Sequence, residues 1–143
     1  MDLNIYNIHL AAGLLGLPDK VKYYANMQKG IDTSGILHLS YPDKQVTLIG
    51  SKDSYVTPRS FIEGEKGSIY FDGSTGTLDN FTVEMRGQKP KRYNFNKYPH
   101  RMASEFTAFA EMIDQHDVRR ADEAFVNTLE TMKILTAAKN SVE

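Results

Sequence analysis

Residues 1–27, MDLNIYNIHLAAGLLGLPDKVKYYANM, contain a helix pattern, a helix stop and a strand pattern in direct succession. Gly16 and Pro18 end the helix, because glycine serves as a C-terminal cap and proline cannot continue the hydrogen bonding. From residue 21 to 27 apolar and polar side chains alternate, which predicts a strand with two chemically different faces. In the helix itself, one face is apolar and can dock on a core, through Ile5, Ile8, Ala12 and Leu15.

Six further strand patterns follow this first pair of elements. The segments between them are short and turn-like, rich in residues that tolerate tight or left-handed backbone. Short links favour antiparallel hairpins, so we expect a largely antiparallel sheet. The predicted ranges are 35–41, 45–51, 59–63, 68–71, 81–86 and 91–95.

After Pro99 the apolar spacing becomes helical and predicts two helices separated by a polar break at 114–117. The order of elements predicts an α+β fold: an open, largely antiparallel (mixed) sheet of about six strands with helices packed on one face. The other face is rich enough in Tyr, Leu, Ile and Phe to favour burial by a second copy or another domain. The side chains expected in the core are Met102, Phe106, Phe109 and Ile113 on the second helix, and Phe125, Leu129, Met132 and Leu135 on a third that starts near Ala121.

Composition indicates a single domain over residues 1–143, or one domain cut from a larger chain, because 41% of the residues are hydrophobic and 24% charged. The net charge of -1, with 17 basic and 18 acidic side chains intermixed, argues against nucleic acid or an anionic membrane as partner. The absence of cysteine excludes a disulfide framework and a thiolate zinc site, and fits the cytoplasm. No basic leader or long apolar run occurs, so we expect a soluble chain.

The motifs of a self-contained cofactor enzyme are missing from the sequence. There is no G-x-G-x-x-G fingerprint, no Walker-type phosphate loop, no G-x-S-x-G elbow and no H-E-x-x-H pair. The loop from Gly73 to Gly76 is either an anion-binding nest or a plain hairpin loop, and the hairpin loop is favoured. We therefore expect no metal site, and no cofactor bound by this chain alone.

Asp2, Tyr6 and His9 form a polar row on the first helix, since spacings of four and three place them on one helical stripe. Gly13 extends that stripe by a turn. A carboxylate, a phenol and an imidazole beside a glycine suit a substrate-facing helix. Each residue also has a structural interpretation. Asp2 fits a helix N-cap, Tyr6 an amphipathic tyrosine bridging core and solvent, and His9 a half-buried histidine satisfied by a backbone carbonyl.

Three other places carry side chains that could contact a substrate or a partner subunit. The loop 52–55, with a lysine, an aspartate and Tyr55, is more simply a solvated loop. Tyr98 and His100 either close over a pocket or, preferably, staple the following helix to the sheet. His38 lies between residues that point to the opposite face, so it lines the open sheet surface or joins a dimer contact.

The runs DLNIYNIH (residues 2–9) and LLGLP (14–18) resemble the start of the C-terminal domain of the Gfo/Idh/MocA oxidoreductases, the glucose-fructose oxidoreductase and inositol dehydrogenase group. Three later features are similar as well: the strand 21–27, the hairpin IEGEKGSI at 62–69, and the E-F-x-x-F helix that starts at Glu105. The resemblance therefore covers nearly the whole chain.

In this family an N-terminal dinucleotide-binding domain precedes a C-terminal domain that supplies much of the substrate pocket and the oligomer interface. Asp2 and Tyr6 match the aspartate and the later histidine or tyrosine that face the nicotinamide and the reacting sugar or polyol carbon. His9 matches a further polar, substrate-contacting position. Two departures stand out. Asn4 occupies a place often held by glycine, and the glycine fingerprint and lysine-bearing E-K-P motif of the N-terminal half are absent here.

The resemblance implies the C-terminal substrate-binding and dimerisation domain of an NAD(P)-dependent oxidoreductase acting on a sugar, inositol or related polyol. Such a chain is expected to be inactive without its dinucleotide-binding domain, and NAD or NADP is expected only in the complete enzyme. Tyr6 and Asp2 are the implied catalytic residues; both, with His9, are implied to bind substrate, and a lysine of the other domain to activate the phenol. The other expectation is a non-catalytic, dimeric carbohydrate-binding or interaction module.

Overall fold

A computed structural model describes residues 4–142 of the chain. Within them lie three helices and seven strands, and every strand predicted above is present. The α+β class is therefore confirmed. In chain order the elements are α1 (Ile5–Leu15), β1 (Lys20–Gln28), β2 (Ile31–Ser40), β3 (Gln45–Ser51), β4 (Arg59–Gly64), β5 (Gly67–Asp72), β6 (Phe81–Met85), β7 (Lys91–Tyr93), α2 (Arg101–Asp114) and α3 (Val118–Asn140).

The strands form two open antiparallel sheets, where the sequence predicted one sheet of about six strands. One sheet has the order β1-β2-β3 and the other the order β4-β5-β6-β7. Within each sheet, consecutive strands are antiparallel neighbours, as their short links predict. The exposed link 52–58 joins β3 to β4, and these two strands do not pair. The chain divides accordingly into two compact units, residues 1–55 with 119–143 and residues 56–118.

The core of the first unit lies between one face of its sheet and the helices α1 and α3. Ile8, Leu37, Leu39 and Ile134 are fully buried there. Leu37 and Leu39 lie on the central strand β2. Their register partners on the two neighbouring strands pack in or against the same core: Val21, Tyr23, Val46 and Leu48. Burying each such side chain contributes roughly 1.5–3 kcal/mol. Helices thus cover one face of this sheet and leave the other face open.

The helix stop predicted after α1 is confirmed by its backbone. Gly16 has a φ of 70°, in the left-handed region that favours glycine, and its N–H donates to the Ala12 carbonyl oxygen at 2.8 Å. The Tyr41 hydroxyl then donates to the Gly16 carbonyl oxygen at 3.0 Å. Ile8 and Ala12 are buried as predicted, whereas Leu15 is exposed at the end of the helix.

The sheet of the second unit carries a row of aromatic side chains. Phe71, Phe81 and Tyr93 are register partners on three neighbouring strands. The rings of Phe81 and Tyr93 stack with centroids 5.2 Å apart, and Phe95 lies 5.8 Å from Phe81. Cross-strand aromatic pairs of this kind stabilise a sheet.

Helix α2 begins where the sequence predicts, but its apolar stripe is not core. His100 is the N-cap, and its Nδ1 accepts from the Met102 N–H at 3.3 Å, so this histidine caps the helix rather than stapling it to the sheet. Phe106 and Phe109 are 66% and 60% exposed, and Ile113 is exposed too. The prediction that these three side chains are core is wrong, whereas Met102 of the same stripe is half-buried. Helical spacing identifies an apolar face and not the surface that covers it.

Helix α3 starts three residues before the predicted position and buries a different face. Phe125, Leu129 and Met132 are exposed, which contradicts the prediction that they are core. The helix has apolar or small side chains on two faces, and periodicity cannot tell which of them meets the sheet. The side chains that it buries are Thr131, Ile134 and Ala138, with Leu135 packed partly against the core.

Candidate functional site

The polar row of α1 is open to solvent over the part that the structure describes. Tyr6 is 50% exposed and His9 is exposed. Their spacing of three residues on an intact helix places both side chains on one face, away from the buried Ile8 and Ala12. Asp2, the third member, lies outside the described residues.

Asn4 fastens the beginning of α1 to the edge strand β3. It is only 2% exposed, its Nδ2 donates to the Leu48 carbonyl oxygen at 3.4 Å, and its Oδ1 accepts from Asn7 Nδ2 at 2.8 Å. The same Asn7 amide lies 3.3 Å from the Ile49 carbonyl oxygen and donates to it. Gly50 makes this approach possible, since a Cβ there would lie 3.0 Å from the Asn4 Cβ. The residue that departs from the family pattern is thus an anchor of the helix.

His9 is held by two side chains of α3. Its Nδ1 lies 3.2 Å from Thr131 Oγ1, and its Nε2 lies 3.2 Å from Asn127 Nδ2. Thr131 is buried, and its hydroxyl is also 2.8 Å from the Asn127 carbonyl oxygen, one turn earlier in the helix. The structural interpretation of His9 invoked a backbone carbonyl; its partners in this structure are side chains instead.

Asn127 also packs directly on α1. A Cβ on Gly13 would lie 3.2 Å from Asn127 Nδ2, so glycine leaves the space that the amide fills. The Oδ1 of the same amide is buried and has no hydrogen-bond partner within residues 4–142. Gly13, which extends the polar row in the sequence, therefore makes room for a neighbouring helix.

Sequence reasoning missed Asn127 and Thr131. They stand four residues apart in a helix whose neighbouring positions are mostly charged or apolar, and that spacing puts two hydrogen-bonding side chains on one face. This spacing is the sequence signal that could have identified the pair. Their contact with His9, more than a hundred residues earlier, is beyond what local spacing can predict.

A shallow groove of 410 Å³ lies on the open face of the first sheet, and we call it the open-face groove. Its apolar part is one cross-strand row, Tyr24, Ile36 and Ile49, which are direct register partners and all exposed. On the next row Asn26 Nδ2 donates to Ser34 Oγ at 2.8 Å. The groove thus combines an aromatic ring, two isoleucines and hydroxyl groups.

The loop after β3 closes the polar end of that groove. Ser51 Oγ donates to Asp53 Oδ1 at 2.8 Å and lies 2.7 Å from Ser54 Oγ. Hydrogen bonds from Thr33 and then Ser51 lower the pKa of the Asp53 carboxyl. Tyr55 is 93% exposed, in agreement with a solvated position.

His38 lies on the open sheet face, because its neighbours Leu37 and Leu39 are buried on the other side. Its Nε2 lies 2.9 Å from Gln45 Oε1 and donates to it. The loop from Gly73 is closed internally, since Ser74 Oγ accepts from the Gly76 N–H at 3.2 Å. That bond is typical of a plain hairpin loop.

Neither a metal-binding cluster nor a membrane-spanning helix occurs within residues 4–142. No three His, Asp or Glu side chains come together in an arrangement that could hold a metal ion. None of the described helices is long and apolar enough to cross a membrane.

Comparisons with known proteins find oxidoreductases that are similar to this chain in sequence and in fold. No family model matches the chain. The chain is 29% identical over 117 residues to the uncharacterized oxidoreductase YgjR of Escherichia coli K12, covering 81% of this chain and 35% of that protein. It is 27% identical over 144 residues to the scyllo-inositol 2-dehydrogenase (NADP(+)) IolU of Bacillus subtilis 168, covering 99% of this chain and 43% of that protein.

A solved structure gives the same answer for the fold. KijD10, a 3-ketoreductase from Actinomadura kijaniata in complex with NADP, matches with a TM-score of 0.70 at 16% identity, over 99% of this chain and 47% of that one. These matches confirm the resemblance to the C-terminal domain of the Gfo/Idh/MocA-like oxidoreductases. The chain spans less than half the length of the relatives that it matches.

Proposed function

We propose that this chain is the substrate-binding and dimerisation part of an NAD(P)-dependent oxidoreductase that acts on a sugar, inositol or related polyol. The observation that carries the proposal is the exposed row of Tyr6 and His9 on a helix fastened to both the sheet and α3. The similarity to an NADP(+)-dependent scyllo-inositol dehydrogenase supports the substrate class and the cofactor.

A preceding dinucleotide-binding domain completes the enzyme in this proposal. Its support is that the chain covers only 35% and 43% of its two oxidoreductase relatives. The sequence has no G-x-G-x-x-G, so the phosphates of a dinucleotide would be held by that other domain. The bound nicotinamide supplies the hydride acceptor. This chain alone is then inactive.

Tyr6 takes the proton of the substrate hydroxyl in this proposal, because removing a hydride from an alcohol carbon requires a group that accepts the hydroxyl proton. The phenol is exposed on α1, where a substrate can reach it. A cation from the preceding domain would favour the phenolate. Asp2, four residues earlier in the sequence, would orient the substrate.

The test is Tyr6→Phe in the full-length protein, which removes one oxygen and keeps the ring. We expect kcat for polyol oxidation to fall by about 10²–10⁴, the usual contribution of a general base. The Kd for NAD(P) should stay within about twofold, since the phenol does not bind the dinucleotide phosphates.

Tyr55→Phe is the matched control, because Tyr55 is 93% exposed and outside the polar row. It should leave kcat unchanged. Unchanged turnover in Tyr6→Phe would remove Tyr6 from the reaction, and a full-length protein that binds no NAD(P) would refute the proposal as a whole.

We infer that the open face of the first sheet binds a second copy of the chain. One continuous exposed row crosses the three strands: Tyr24, Ile36 and Ile49. Exposing such an apolar row to water is unfavourable, and contiguous exposed apolar patches mark interaction sites. A two-fold interface presents the same patch from both subunits, so a flat sheet face with an apolar centre and polar margins is self-complementary.

The open-face groove also supports a second candidate function, a non-catalytic carbohydrate-binding module. An exposed tyrosine ring beside Asn26, Ser34 and Ser51 combines a stacking surface with hydroxyl and amide groups. Saccharide binding measured on the chain by calorimetry, lost in Tyr24→Ala and kept in Tyr6→Phe, would favour this module over the oxidoreductase.

A further inference from the structure

We propose that Asn127 and Thr131 are positioning residues that fix His9 as a neutral imidazole with its proton on Nδ1 and a lone pair on Nε2. The inference rests on the proposed function, in which His9 contacts the substrate. It adds two residues of α3 to the site and specifies what kind of substrate group His9 can bind.

The hydrogen bonds around His9 form a closed circuit with one direction. The Asn127 carbonyl oxygen can only accept, so the Thr131 hydroxyl, 2.8 Å away, donates its single proton to it. Thr131 Oγ1 must then accept from His9 Nδ1 at 3.2 Å, which places the imidazole proton on Nδ1. A neutral ring with Nδ1–H has a bare Nε2, and this accepts from Asn127 Nδ2 at 3.2 Å.

The orientation of the Asn127 amide agrees with this direction. In the structure its Oδ1 is the buried atom without a partner. The reversed amide would put the two N–H groups at that buried position and leave both donors unsatisfied. In a neutral ring it would also require the single proton to be on His9 Nε2, whereas the bond to Thr131 places that proton on Nδ1. The circuit therefore selects one tautomer and one amide orientation together.

The consequence for substrate binding concerns the chemical class of the group that meets His9. A bare Nε2 accepts a hydrogen bond and cannot donate one, so a hydroxyl suits it and an acceptor-only group such as phosphate does not. In this structure the Nε2 lone pair accepts from Asn127 Nδ2, so a substrate hydroxyl binds by displacing the amide from Nε2. The hydroxyl then donates to Nε2, and its oxygen can accept from the displaced Asn127 N–H. His9 and Asn127 together then recognise one hydroxyl of a polyol.

The tautomer can be measured directly by long-range ¹H–¹⁵N NMR on the 143-residue chain at about pH 8.5. In the wild type the bound proton should lie on His9 Nδ1. Thr131→Val removes the acceptor of Nδ1–H, and Asn127 can then turn its Oδ1 toward an Nε2–H. We expect the ratio of the two tautomers to shift by about tenfold toward Nε2–H.

Two variants separate this role from a merely structural one. Thr131→Ser keeps the hydroxyl and should restore the Nδ1–H tautomer. Thr128→Val removes a threonine on the same helix whose hydroxyl donates to the Ala124 carbonyl oxygen at 3.3 Å, away from His9, and should leave the tautomer unchanged. A wild-type spectrum with the proton on Nε2, or a Thr131→Val variant that keeps Nδ1–H, would overturn the proposal.

Turnover in the full-length enzyme tests the link to the reaction separately. Thr131→Val should raise KM for the polyol by about tenfold and change kcat by less than about twofold, because His9 binds and does not react. A KM that does not move would show that the fixed tautomer has no part in substrate binding. If the wild type oxidises no polyol, the proposed function fails, while the NMR result still decides whether Asn127 and Thr131 position His9.

Discussion

Replacing Asn4 by alanine should destabilise the chain, because Asn4 holds the beginning of α1 against β3. Asn4 is almost completely buried, donates to the Leu48 carbonyl oxygen and accepts from Asn7. Alanine removes both hydrogen bonds and leaves a small cavity beside Gly50, where the Asn4 side chain now packs at contact distance. The Leu48 carbonyl loses this side-chain donor.

The expected loss in the free energy of unfolding is about 2 kcal/mol. A net hydrogen bond is worth roughly 0.5–1.5 kcal/mol, and leaving a partner unsatisfied adds to the loss. The bond to Leu48 is long, at 3.4 Å, so most of the effect should come from the 2.8 Å bond with Asn7. For a chain of this length, about 2 kcal/mol corresponds to a fall in Tm of roughly 6 °C.

Urea unfolding of the chain, followed by circular dichroism, measures this loss. Asn26→Ala is the matched control, because that asparagine is exposed and its bond to Ser34 lies on the sheet surface. It should cost less than about 0.5 kcal/mol. An Asn4→Ala variant as stable as Asn26→Ala would show that Asn4 does not anchor α1, and the account of the helix given above would be wrong.

Two further predictions concern the first sheet. Ile49→Lys places a charge in the exposed apolar row and should convert the proposed dimer into a monomer, as measured by sedimentation equilibrium. Val126→Lys, on the exposed part of α3, is the control and should leave the dimer intact. A monomeric wild type would refute the dimer. Burial raises the pKa of the Tyr23 phenol. The folded state then holds this proton more tightly than the unfolded state, so the resulting stability is present below about pH 10 and lost as pH rises through the folded-state value. The free energy of unfolding of Tyr23→Phe, measured with urea at several pH values above about 10, should fall less steeply with pH than that of the wild type. The variant also loses the hydrogen bond to Asp32. Equal slopes of unfolding free energy against pH for the two proteins would contradict this prediction.

The strands could be predicted from the sequence because each carries a local signal. Alternating side chains and glycine- or proline-containing turns are properties of adjacent residues, and β3 was predicted to the residue. The division into two sheets could not be predicted in this way. β3 and β4 are separated by only the seven residues 52–58, yet they do not pair. The alternation of side chains within β4 would be the same if it did pair with β3, so the local pattern cannot distinguish one sheet from two.

The helices also show that local spacing does not predict which surfaces pack together. Apolar spacing located α2 and α3, yet Phe106 and Phe125 are exposed, because an apolar stripe does not reveal its partner. The candidate site divides similarly. The row of Tyr6 and His9 follows from spacing within one helix, whereas Asn127 and Thr131 reach His9 through the fold.

The anchoring of α1 bears on how Tyr6 would act. A reacting phenol must be held within about 0.5 Å of its productive position. Two residues before Tyr6, Asn4 is bonded to β3, and three residues after it, His9 is bonded to α3; between them Ile8 is fully buried. The backbone of the half-exposed tyrosine is thus fixed at both ends while its side chain stays open to solvent. If Tyr6 takes the proton as proposed, the precision comes from these neighbours, and Asn4→Ala should lower kcat through Tyr6 without changing the tautomer of His9.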